Sequence, residues 1–209
     1  MPNPWLEIPL GEYEAHMAHP AIDQARLLAE ELRGILRTYR PHSVAIVGAA
    51  GGNGLDQIDA SVTTRTVAVD INPAYAAELE RRYAYRLPGL EVHVADVEYS
   101  KLHVPPVEFV YAALLLEYVD LHRGLAGLRA LCAPLGLLAI VTQLPSRFVA
   151  PVTPSPYSSL QRLVPSMQLV SSESLEAAAR RLGFSLQASH QVSSAAGKSF
   201  VVHVFQLAI

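Results

Sequence analysis

The chain has one cysteine in 209 residues, Cys132. A single thiol closes no intrachain disulfide and offers no cysteine cluster to a metal, so disulfide-stapled and zinc-ribbon folds are excluded. Lysine is almost as scarce: Lys101 and Lys198 are the only two, and the arginines are scattered. The formal net charge is −3. No basic stripe tracks a phosphate backbone, so no nucleic-acid partner is expected. Long apolar runs are missing too. The longest, around Leu135 to Val141, falls well short of the ~20 residues a membrane-spanning helix requires, so no membrane association is expected. Residues Met1 to Trp5 lack the charged segment and apolar core of a signal peptide. His19, His42, His93, His103, His122, His190 and His203 show no metal-ligand spacing. No metal is expected, and a cytoplasmic location is the default.

What is present is a core. Hydrophobic residues make up 51% of the chain and charged ones 17%, which suits a globular protein rather than a disordered one. The length fits a single domain over residues 1–209. Its organising stretch is Val44-Ala45-Ile46-Val47-Gly48-Ala49-Ala50-Gly51-Gly52-Asn53-Gly54-Leu55. The apolar run reads as a buried parallel strand ending at Gly48. The small residues after it read as a tight turn into a short helix around Leu55 and Ile58. Such a turn lets the backbone approach a ligand, and a helix N-terminus beyond it would add unpaired N–H groups. An ordinary βα turn uses glycine as well.

The remaining pattern alternates strand and helix. Residues 1–40 read as an irregular arm followed by a helix from about Pro20, with Ile22, Ala25, Ala29, Leu32 and Leu36 on one face and Pro41 ending it. The segment Glu12 to Met17 reads as surface decoration or a lid. Strands are expected at Thr64–Asp70, Leu90–Ala95, Val107–Ala113 and Leu137–Gln143. Helices are expected from Pro73, from Asp120 as a cap, and from Ser171 or Ser172 as a cap to Gly183. The stretch from Leu144 to about Pro165 is a long loop of the kind that serves as a lid. Two strands, Phe184–Val192 and Phe200–Ala208, close the chain as a hairpin. This order predicts an α/β, Rossmann-like, doubly wound sheet of seven strands, mostly parallel, with an antiparallel last strand and helices on both faces. Ligands bind such sheets beyond the carboxyl ends of the strands.

Four features converge at that edge: the Gly48–Gly54 turn, Asp70, Asp96 and the segment Ala112–Glu117. A carboxylate at the end of the strand beside a glycine turn accepts both hydroxyls of a ribose. Asp96 is placed to meet an adenine amino group. Each has a plainer reading: Asp70 as a cap before Pro73, Asp96 as a strand-end cap, Glu117 as a turn cap. Glu117, His16 and Tyr13 are candidate catalytic groups, Glu117 or His16 as a proton acceptor. Tyr13, His16 and Met17 are also candidates to close over a ligand. Tyr157 reads as turn packing or a pocket wall, and Gln143 as a polar contact at the end of the fifth strand.

The ordered set resembles the class I S-adenosylmethionine-dependent methyltransferases, and the arm around Trp5-Leu6 and Glu12-Tyr13-Glu14 is similar to that of small bacterial ones without an assigned substrate. The likeness runs from Val44 to the C-terminus. It is carried by 47–54, by Val67-Ala68-Val69-Asp70-Ile71-Asn72, by Val94-Ala95-Asp96-Val97 and by Leu115-Leu116-Glu117-Tyr118-Val119. It is carried also by Leu131-Cys132-Ala133-Pro134-Leu135-Gly136 and by Gly183-Phe184. Departures from that pattern are Ile46 for an acid, Ala50 for a glycine and Tyr118 for a histidine. The resemblance implies S-adenosylmethionine as cofactor, held by Gly48, Ala49, Ala50, Gly51, Gly52, Asp70, Ile71, Asp96, Val97 and Leu114. It implies methyl transfer to a small-molecule acceptor; separately, the apolar N-terminal arm offers a surface for a homodimer. Two alternatives stay open. One is a nicotinamide-dependent oxidoreductase, although no tyrosine is followed four residues later by a lysine. The other is a non-catalytic nucleoside-binding protein of the same fold.

Overall fold

Alternating side chains decide how the strands face. In β1 (Ser43–Val47), Val44 and Ile46 join one apolar cluster while Ala45 and Val47 join another. The strand is therefore buried on both faces, as a central parallel strand must be. A computed structural model describes residues 3–209. Its seven strands form one sheet in the order β3-β2-β1-β4-β5-β7-β6. The others are β2 (Arg65–Asp70), β3 (Leu90–Val94), β4 (Val107–Ala113), β5 (Cys132–Gln143), β6 (Phe184–Ser193) and β7 (Ser199–Leu207). The pairs β1–β2, β1–β4, β2–β3 and β4–β5 are parallel, and β7 runs antiparallel to both β5 and β6.

One face is covered by α2 (Gln24–Tyr39) through Leu28, Leu32, Ile35 and Leu36, and by Leu79 of α3 (Pro73–Tyr83). The other is covered by α4 (Leu121–Leu131) and α5 (Ser172–Arg181) through Leu125, Leu128, Leu131, Leu175 and Ala179. The expected caps at Asp120 and Ser171 are in place, and Asn72, rather than Asp70, caps the helix that Pro73 opens. The Asp120 carboxylate accepts from the Arg123 N–H at 2.9 Å, the Ser171 hydroxyl from the Ser174 N–H at 3.1 Å, and the Asn72 side chain from the Ala74 N–H at 2.9 Å. Each satisfies a helix-start donor that would otherwise lack a partner.

Three expectations need correction. No α-helix follows the glycine turn; Leu55–Gln57 is a single 3-10 turn. Positive φ at Gly48, Ala50, Gly52 and Gly54 steers the chain off a helical path, so no helix N-terminus faces the first loop. The N-terminal arm is not irregular. It is a 3-10 turn, Pro4–Glu7, then α1 (Leu10–Ala18), with Pro9 at the N-cap position, where its missing N–H costs nothing. And β5 begins at Cys132 rather than Leu137, with a register irregularity against β4 between Val107 and Phe109. Among the described residues no helix is long and apolar enough to cross a membrane, and no group of three metal-ligating side chains is found.

Candidate active site

Parallel β1, β2 and β4 all end at one edge, so the topology sets Gly48, Asp70 and Leu114 side by side. One cavity opens there. Its lining includes Gly48, Ala50, Asp70, Ile71, Asp96, Val97 and Leu114, and also Tyr13 and His16. Ala49, Gly51 and Gly52 do not line it. Ala49 lies in the core beneath the turn. A Cβ on Gly51 would run into the Glu14 carboxylate and the Arg82 guanidinium, which pair with each other, and a Cβ on Gly52 would overlap the Tyr83 ring. Those two glycines are small so that α1 and α3 can close on the turn, not so that a ligand can approach.

Asp70 is the anchor of the site. Its Oδ2 accepts from the Ala50 N–H and its Oδ1 from the Asn72 N–H, each at 2.8 Å. Val69 O accepts from the N–H groups of Gly48 and Ala49 at 2.9 and 3.1 Å, so the turn is fastened to the end of β2. Burial raises the Asp70 pKa above the usual carboxylate value, while the N–H groups of Asn72 and Ala50 oppose that shift. A carboxylate oxygen has about two acceptor positions. Each Asp70 oxygen therefore keeps one for a ligand hydroxyl.

Asp96 is the strand-end cap of its plainer reading, at the edge of the cavity. Its Oδ1 accepts from the Glu98 N–H at 2.9 Å, a turn cap, and the residue also lines the cavity. Part of the wall is aromatic. Trp5 meets Tyr118 edge-on at 5.1 Å and Tyr13 at 5.7 Å, and Tyr13 stacks on Tyr75 at 6.1 Å. The Tyr13 hydroxyl accepts from Asn53 Nδ2 at 3.1 Å, the Tyr75 hydroxyl donates to Ile8 O at 2.9 Å, and Asn72 Nδ2 donates to Trp5 O at 2.9 Å. The arm is thus tied to the edge of the site.

Glu117 does not line the cavity. It is fully buried, with Oε1 accepting from the Gln143 N–H at 2.7 Å and Oε2 without a partner. Burial pushes its carboxyl up to about 7. It braces the segment after β4 to the end of β5, and the cavity contact falls to its neighbours Tyr118 and Gln143. His16 is buried, with Nδ1 2.8 Å from Ser155 Oγ; burial first, then the charge of Lys198, lowers it to about 4, so it is neutral near pH 7. Tyr13 is held well above the ordinary tyrosine value, first by burial and then by the Asp70 charge, and stays a phenol.

The 144–165 stretch contributes Pro151, Val152, Thr153, Leu160 and Leu163 to the lining. It is pinned by a small cluster of Ile8, Val152, Leu160 and Leu163, against which Trp5 and Tyr157 pack. Tyr157 is thus packing rather than a wall. Reasoning along the sequence missed Trp5, Asn53 and Lys198. Lys198 had a signal: it immediately precedes β7, and an antiparallel final strand must start where the parallel strands end.

No protein-family model matches the chain, and no curated protein matches it. Solved structures do. NodS, an N-methyltransferase from Bradyrhizobium japonicum WM9 solved with S-adenosyl-l-homocysteine, superposes with a TM-score of 0.67 at 14% identity, over 87% of this chain and 86% of that one. The magnesium protoporphyrin IX methyltransferase ChlM from Synechocystis PCC 6803, with bound S-adenosylhomocysteine, gives 0.66 at 10% identity, over 87% and 82%. The cyclase SpnF gives 0.69 at 12% identity, over 90% and 82%. These likenesses establish the seven-stranded, Rossmann-like fold seen in methyltransferases. One fold serving methyl transfer and cyclisation leaves function to be argued from the site.

Proposed function

We propose that the chain transfers the methyl group of S-adenosylmethionine to a small-molecule acceptor. One observation carries this reading: Asp70, a buried carboxylate with an acceptor position left on each oxygen, is fastened to the Gly48–Ala50 turn and lines the same cavity with it. That arrangement takes the two hydroxyls of a ribose. Ile71, Val97 and Leu114 offer apolar contact to a purine, and Asp96 stands at its polar edge. The fold shared with NodS and ChlM supports the same assignment.

Bound S-adenosylmethionine supplies a methyl group already activated on a sulfonium. The residues of this chain have to align the acceptor and keep water out. The aromatic wall of Trp5, Tyr13 and Tyr118 and the pinned 144–165 loop do the second. His16, neutral and held through Nδ1 by Ser155, leaves Nε2 free to hydrogen-bond the nucleophile of the acceptor. With its basicity lowered, it orients the nucleophile rather than storing its proton. Glu117, off the cavity, acts through Gln143 as a positioning residue.

Isothermal titration tests the reading. Saturable binding of S-adenosylmethionine, lost in Asp70→Ala, is expected. Absence of binding by the intact protein, or binding of NADH in its place, would defeat it.

A further inference from the structure

The sheet order separates the two ends of the cavity. Asp70 ends β2, whereas Lys198 stands next to the first residue of β7, opposite the end of β5, where Gln143 pairs with Phe200. Four strand spacings lie between β2 and β7, roughly 19 Å. Lys198 lines the cavity and is 4% exposed. Its Nζ donates to Pro151 O at 2.8 Å, and no carboxylate among the described residues lies within ion-pair distance of it. An ammonium carries three donors, and a buried cation with a single carbonyl partner is costly unless an anion joins it. Glu117 influences it through space but is shut off beneath the lining. No arginine lines the cavity, and His16 is neutral, so the charge at this end is a single positive one. The lining also includes the apolar and aromatic Met17, Tyr118, Val152 and Leu163, with Gln143, Thr153 and the neutral His16 as its polar groups near Lys198.

We propose that the β5–β7 end of the cavity is the acceptor subsite, in which the Lys198 ammonium holds the carboxylate of a small acceptor with an apolar body. The assignment rests on the methyl-transfer reading for the word acceptor, and on the geometry alone for the carboxylate. One cation suits a monoanion; a phosphate dianion calls for more positive charge than Lys198 alone provides.

Trp5, the chain's one tryptophan, lines the same cavity and reports on occupancy by its fluorescence. Benzoate is titrated into the protein with and without saturating S-adenosylhomocysteine, and benzamide and phenyl phosphate serve as comparison probes. Saturable benzoate binding in both conditions is expected, with benzamide weaker. Lys198→Met is expected to weaken benzoate about tenfold or more, and Lys198→Arg to restore most of it. S-adenosylhomocysteine affinity in Lys198→Met stays within about threefold of the wild type, which also shows that the variant is folded. Equal benzoate affinity in Lys198→Met, no benzoate binding, or tighter binding of phenyl phosphate would overturn the assignment. So would displacement of benzoate by S-adenosylhomocysteine, or a matching loss of its affinity in Lys198→Met, since either places the cofactor's own carboxylate at Lys198. If benzoate behaves as expected while S-adenosylhomocysteine fails to bind the wild type, the carboxylate site stands and the methyl-transfer reading falls.

Discussion

The Ala50 N–H donates to the Asp70 carboxylate at 2.8 Å, so the first turn and the end of the second strand are fastened together before any ligand arrives. The same carboxylate takes the Asn72 N–H, which opens α3. One side chain therefore sets the turn, the strand end and the following helix, and still faces the cavity.

Replacing Asp70 separates those roles. Asp70→Asn puts amide donors against one of two backbone N–H groups, and a buried donor facing a donor costs about 1–3 kcal/mol. A lowered Tm is expected, together with S-adenosylhomocysteine affinity weakened at least about tenfold when titrated well below that Tm. A folded variant with unchanged affinity would show that Asp70 only caps the turn.

Gly52 and Gly34 should respond in opposite ways. Gly52 has φ +105°, and a Cβ there overlaps Tyr83, so Gly52→Ala combines backbone strain with a clash. A cost of about 2 kcal/mol or more is expected, roughly 4–8 °C in Tm for a chain of this size. Gly34 lies inside α2 with open space around its Cβ position, and Gly34→Ala should stabilise by about 0.5–1 kcal/mol. Thermal unfolding of both variants gives the comparison.

Glu117 makes stability depend on pH. Its carboxyl is raised by burial from the usual 4.5 to about 7. The folded chain thus holds a proton that the unfolded chain releases, and stability falls as pH rises from about 4.5 through 7. The contribution is fully present below 4.5 and lost above 7. Glu117→Gln removes this dependence, so its Tm relative to the wild type should climb across that window and level off above it. Whatever constant offset the amide introduces, the slope is the test. A pH-independent difference would mean that Glu117 is ionised in the folded protein throughout.

The 144–165 loop is held by few apolar contacts, and Leu160, 1% exposed, is central to them. Leu160→Ala should cost about 2 kcal/mol, the low end for a buried leucine because the cluster is small. The loss falls on the loop first, so limited proteolysis should cut within 144–165 sooner than in the wild type, while the sheet stays intact. Equal cleavage rates would mean that the loop is held by something else.

Much of this was legible in one dimension. The limits of β4, the caps at Asp120 and Ser171, and the placing of Gly48, Asp70 and Asp96 at one edge follow from short-range patterns and the right-handed logic of parallel sheets. The path after Gly48 was not. A string of Gly, Ala and Asn suits a helix start or a left-handed excursion equally, and contacts with Tyr83, Arg82 and Leu32 decide between them. The roles of Gly51 and Gly52 were misjudged for that reason, since smallness alone does not say which neighbour requires it. His16 meets Ser155 across 139 positions, and Lys198 meets Pro151 across 47. Such pairings carry no local periodicity, so these contacts at the β5–β7 end of the site emerge only from the fold.

A crystal structure with S-adenosylhomocysteine tests the central claim most directly. The account expects both ribose hydroxyls within hydrogen-bond distance of the Asp70 oxygens, with the purine between Ile71 and Val97 and next to Asp96. A ligand bound away from Asp70, or a cavity that admits none at saturating concentration, would contradict it.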